Sequence, residues 1–213
     1  MAIIATSSGD GGDFKSLDAG TYIARCVSVW AIGTQYNKWH DKWQPQVIIR
    51  WEVPEETTED GTPLTISCFY TISLHEKSNL YKSLVAWRGR KFTDDELARF
   101  DLESVLDAPC LLTVVHNDDG KQKVGGVSKL GKGMTCPPAV HPLEVYNMQE
   151  DVSGQKYAAL PEWVQKQVDN SRERMPIHDG DNSRPPKPEP APSGGGGDED
   201  DIPFAPVNSK LAI

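Results

Sequence analysis

Between positions 36 and 43 the chain interleaves three large rings, Tyr36, Trp39 and Trp43, with two cations, Lys38 and Lys42. Flat rings give nucleobases a surface to stack on, worth about 1 to 3 kcal/mol per base, and lysines follow phosphates. Three exposed aromatics in one polar loop are unfavourable unless something covers them. The plainer alternative is that Trp43, and less so Trp39, folds back as a lid on the core. Strand patterns add Arg50 and Phe69, on the faces opposite the aliphatic residues, with Trp30 on the corresponding side of its own strand. Lys77, Arg88, Arg90, Lys91, Lys121, Lys123, Lys129 and Lys132 supply further candidates for phosphate contact. Each of these lysines alone reads as a solvated surface charge, so their weight is collective. Nothing in the set reads base identity, and binding is expected to depend little on sequence.

Other chemistries find less support. His40 precedes Asp41 and His75 precedes Glu76, but neighbours in sequence lack the third partner that acid–base catalysis needs. There is no nucleophile motif, phosphate loop or metal-ligand set, so no catalytic residue, metal or cofactor is expected. Four cysteines, Cys26, Cys68, Cys110 and Cys136, are widely spaced, and three fall in apolar strand patterns where free thiols are common.

The elements that must position these residues begin with a chain of 213 residues, 38% hydrophobic and 25% charged, long enough for one core and a less compact remainder. The net charge of −9 argues against nucleic acid only until its distribution is considered. From Asp13 to Glu144 there are 15 basic and 18 acidic residues, whereas from Asn147 onward there are 7 and 12. The acidity is thus weighted toward the tail. Ser73 to Phe92 carries +4, with five cations against Glu76. No apolar run reaches the length of about 18 that spans a bilayer, and the start lacks the basic flank and apolar core of a signal peptide. A protein with no membrane contact, remaining in the cytoplasm, is expected.

Alternation predicts strands over 20–32, 46–53 and 64–73, with Ile23, Val27, Val29 and Ala31 sharing one side of the first. A loop is expected from Gly33 to Gln44. An acidic connection, residues 54–63, carries an Asp-Gly turn signal. The 73–92 stretch reads as one helix: Ser73 and Glu76 have capping-box spacing, Leu80, Leu84 and Trp87 form its apolar stripe, and Gly89 stops it. Thr93 and Glu96 repeat the box for a shorter helix through Phe100 and toward Leu106. Strands over 110–116 and 122–130 flank a hairpin turn at NDDGK, and a last short helix is expected over 161–175. Trp51, Tyr70 and Trp87 fall with the aliphatics and are assigned to the core. The resulting organisation is a flexible arm at 1–16, a binding domain at 17–146, an extension with a short helix at 147–175, and a disordered acidic tail at 176–213.

Three strands, a helix and two strands is the order of the five-stranded oligonucleotide-binding barrel, mainly β, with its helix between strands 3 and 4. The chain resembles that fold topologically over residues 20 to 132, which implies a ligand path across strands 2 and 3. The tail resembles the tip of bacterial single-stranded DNA-binding proteins: Asp198, Glu199, Asp200, Asp201, Ile202, Pro203 and Phe204 follow a glycine-rich linker, Gly194 to Gly197. In that family the tip docks on replication and repair proteins, yet here nine residues follow Phe204 where the family ends. With Leu74 to Leu80 and Trp87 to Thr93, the whole chain is similar to bacteriophage single-stranded DNA-binding proteins. The resemblance implies coating of single-stranded DNA during phage replication, recombination or repair in an infected bacterium. It also implies a tail that recruits partner proteins and competes with DNA, and it leaves a homo-oligomer open. The alternative is a non-catalytic accessory protein of the same fold acting through protein contacts.

Overall fold

The first strand, β1 (Gly20–Asn37), is the longest element and the one the others assemble on. In the computed structural model, which describes residues 16–38, 40–151 and 154–175, β1 pairs along one edge with the antiparallel β2 (Lys42–Thr57). Along its other edge, residues 20–25 pair with antiparallel β4 (Pro109–His116), and residues 28–31 pair with parallel β6 (Glu144–Asn147). β3 (Pro63–Thr71) extends the sheet from β2, and β5 (Gln122–Ser128) extends it from β4, giving the order β3-β2-β1-β4-β5 with β6 beside β1. The fold is therefore mainly β, a six-stranded sheet antiparallel along its main path. No helix among the described residues is long and apolar enough to cross a membrane.

β1 and β2 run well past their expected ends, so most of the expected loop at 33–44 is instead paired strand, with β1 reaching Asn37 and β2 starting at Lys42. Two register shifts bend β1, one between Cys26 and Ser28 and one between Ala31 and Thr34. The first corrects the expected facing of this strand. Tyr22, Ala24 and Cys26, rather than Ile23, meet the main core, and the extra residue in the bulge brings Val29 back to the same side. The second shift holds Gly33 at φ +80°, a conformation that strains any residue with a Cβ, and an added Cβ would also stand 2.9 Å from Cβ of Ser171.

The main core gathers Val47, Ile49, Trp51, Ile66, Tyr70 and Leu112 from the sheet with Leu80, Leu84 and Trp87 from α1 (Asn79–Arg88). Helix α1 starts later than Ser73 and Glu76 suggest. Its N-cap is Ser78, whose hydroxyl accepts the N–H of Tyr81 at 3.2 Å and donates to the Ser73 carbonyl at 2.6 Å. Gly89 ends it in the left-handed conformation that glycine tolerates, its N–H reaching the Val85 carbonyl. The helix packs on both β3 and β5, and the Lys129 N–H after β5 bonds the Ala86 carbonyl at 3.0 Å. Thr93 and Glu96 do form a capping box, opening α2 (Asp94–Arg99). A separate 3-10 turn at Leu102–Val105, capped by Asp101, replaces the expected continuation of this helix. All four cysteines are free, and burial pushes the Cys26 thiol up to about 12.

A second core lies on the opposite face of β1 and β2. Trp30, Ile32 and Ile48 are covered there by Tyr146 of β6, by Leu160 after α3 (Gln155–Ala159), and by Val164 and Val168 of α4 (Glu162–Asp169). Neither β6 nor α3 is expected from the sequence pattern, and α4 is shorter than 161–175.

Candidate nucleic-acid interface

Alternation along β2 sends Lys42, Gln44 and Gln46 to one face, and the same rule sends Phe69 and Thr71 of β3 beside them, with Gln46 opposite Thr71 and Ile48 opposite Phe69. This face borders a groove of about 600 Å³ that extends to His40 at the hairpin tip and to Ser73, His75, Lys77 and Asn79 between β3 and α1. Two lysines and two histidines line it, and among the described lining residues there is no carboxylate. Phe69 is 46% exposed there.

Local hydrogen bonds set these side chains in place. Asn37 Nδ2 donates to Gln44 Oε1 at 3.0 Å across the hairpin, and Asn37 Oδ1 accepts the His40 N–H at 3.2 Å. Asp41, at φ +48°, accepts a bond from the Tyr36 hydroxyl, while the Tyr36 and Trp43 rings meet edge-on at 5.5 Å. Tyr36 and Trp43 thus pack on each other, both half-buried, and Lys38 and Lys42 are exposed. Trp39 lies outside the described residues. On the far side of the groove, Ser73 Oγ accepts the His75 N–H and His75 Nδ1 accepts the Lys77 N–H, at 3.3 and 3.2 Å. Ser73 therefore shapes a turn that presents Lys77, in place of the helix cap expected of it.

Arg50 is half-buried on the outer face of β2, its Nη2 donating to Thr65 Oγ1 at 3.0 Å and its guanidinium 5.8 Å from the Trp30 ring centre. Burial pulls its pKa below the usual arginine value, against the opposing pull of Glu144 and Glu52. Trp30 departs most from expectation. It is on the outer side of β1 as alternation predicts, but fully buried, because β6 and α4 return to cover it.

The cations expected along α1 and after it are differently employed. Arg88 bonds Glu96 and lies over the rings of Phe92 and Phe100 at 4.2 and 5.3 Å. Arg90 takes the same carboxylate with two bonds of 2.9 and 2.6 Å. Held first by Arg90, then by the Thr93 N–H and Arg88, the Glu96 carboxyl drops to about 2. These two arginines are tied to a carboxylate and stand apart from the groove. Lys91, Lys121, Lys123, Lys129 and Lys132 are exposed, and none lines the groove. The tail residues Asp198 to Phe204 lie outside the described residues.

Sequence reasoning missed several members of this surface. Gln44, Gln46 and Asn79 have no aromatic or cationic signature, His75 sits in a turn that the sequence pattern assigns to a helix start, and Trp163 of α4 comes within reach of Phe69 only through folding, at 6.4 Å between ring centres. A second cleft, of about 330 Å³, has Asp101, Glu103 and Glu173 among its lining, which makes it a poor seat for a phosphate chain. Compared with models of known protein families, with curated proteins and with solved structures, the chain matches none.

Proposed function

We propose that this protein binds single-stranded DNA with little dependence on sequence, along the outer face of β2 and β3. The observation that carries the reading is the groove bordered by Lys42, Lys77 and the exposed ring of Phe69, with no carboxylate among its described lining residues. Single strands need cations for the backbone and ring faces for unstacked bases, and a duplex hides those bases. The strand order, with α1 packed on both β3 and β5, supports reading the sheet as a partly open oligonucleotide-binding barrel.

In this reading the protein coats exposed strands in phage replication, recombination or repair, acting in the cytoplasm of the infected bacterium. The Asp198 to Phe204 tip recruits replication or repair proteins and competes with DNA for the lysines of the groove. Binding is tested by fluorescence anisotropy with single- and double-stranded oligonucleotides over a salt series. Tight binding to single strands is expected, with log affinity falling against log salt by about 0.7 per neutralised phosphate. A flat salt response, or equal binding to duplex, would overturn it. Removing residues 198–213 is expected to tighten binding.

A further inference from the structure

Trp163 stands in the first turn of α4 and is 42% exposed, although Val164 and Val168 of the same helix are fully buried. Its indole meets Trp30 edge-on at 5.9 Å, with planes at 70°, so it is fixed from beneath. It also lies 6.4 Å from Phe69, which borders the groove. Their 60° tilt keeps these two rings from stacking on one another. Two large, half-exposed rings from distant parts of the chain therefore stand side by side, continuous with a groove lined by lysines. Trp30 is already covered by Tyr146, Leu160 and the two buried valines, yet Trp163 beside it keeps 42% of its surface exposed. The nearest acid on the helix, Glu162, is met by Lys166 at 3.4 Å.

Building on the single-strand reading above, we propose that Trp163 is a base-stacking residue. The strand leaves the groove over Phe69 and continues onto α4, which makes the C-terminal helical extension part of the nucleic-acid interface. Base–aromatic stacking tolerates any base, so this step lengthens the binding site without adding sequence preference.

The test uses the full chain and oligo(dT) of graded length at one salt concentration. Trp163→Ala is expected to weaken binding of the longer oligonucleotides about tenfold or more and to leave the shortest, which fill only the groove, unchanged. Trp163→Phe, which keeps a ring, is expected to retain most of the affinity. Photocrosslinking of the unmodified protein to oligonucleotides carrying 5-iododeoxyuridine is expected to give adducts at both Phe69 and Trp163, and decides the matter even if Trp163→Ala folds poorly. Binding by the unmodified protein with equal affinity in Trp163→Ala at every length, or adducts at Phe69 without Trp163, would overturn this proposal and leave the groove standing. Failure of the unmodified protein to bind any oligonucleotide would remove both.

Discussion

Glu52 and His141 meet in the interior: Oε2 of Glu52, a side chain wholly withdrawn from solvent, lies 2.9 Å from Nδ1 of His141. The same carboxylate accepts the backbone N–H groups of Val140 and His141, at 3.0 and 2.9 Å. A buried carboxylate is tolerable where several donors satisfy it, and here they come from the irregular segment that leads into β6. Nearby, Arg25 bonds the carbonyls of Cys136 and Pro137 as well as Asp107. The two clamps hold the chain between β5 and β6, where it crosses to pair with β1 beyond the end of β4.

Glu52→Ala would leave those donors without their acceptor, at a cost of roughly 1 to 3 kcal/mol. Urea denaturation is expected to show that loss, and hydrogen exchange is expected to accelerate at the Val140 and His141 amides. An unchanged midpoint with unchanged exchange would mean that something else holds the segment.

Trp30→Ala would empty the centre of the second core. Large-to-small changes at fully buried aromatics cost about 3 to 5 kcal/mol, and the loss should fall on β6 and α4, which pack there. Limited proteolysis is expected to cut first between residues 144 and 175. Equal protease resistance in the variant and the parent would contradict the covering role assigned to these elements.

The Glu96 carboxyl is held at about 2 against an ordinary value of 4.5. A depressed carboxyl stabilises the fold fully above its unfolded value and loses that contribution as pH falls toward its folded value. Glu96→Gln is therefore expected to melt lower than the parent at pH 7, with the difference shrinking between about pH 4.5 and 2. Thermal melts across that window check it, and a constant difference would show that charge is not the cause.

Lys42→Ala and Lys77→Ala are each expected to weaken single-strand binding and to reduce the salt slope by about 0.7. Lys91→Ala, exposed but outside the groove, should change both little. Equal losses at all three positions would indicate diffuse attraction with no defined path.

Arg88 and Arg90 show why a count of cations along one stretch cannot identify a binding surface. Both lie in the most basic stretch, yet Glu96, a few residues on, takes them. The positive excess of that stretch is real, but its arginines are spent within the fold.

What the sequence determined by itself were features of local origin: the approximate strands, the glycine stop of α1, the Thr93 and Glu96 box, and the core placement of Trp51, Tyr70 and Trp87. Each follows from a spacing of two to four residues or from one residue's conformational range. Tertiary structure alone decided which outward faces stay open. Alternation put Trp30, Arg50 and Phe69 on the outer face, but burial depends on chain that returns from far along the sequence, and β6 and α4 cover Trp30 while Phe69 is left at the rim. A bulge of one residue in β1 likewise reversed the facing of its first half, because a strand repeats every two residues and keeps no memory of phase across an insertion.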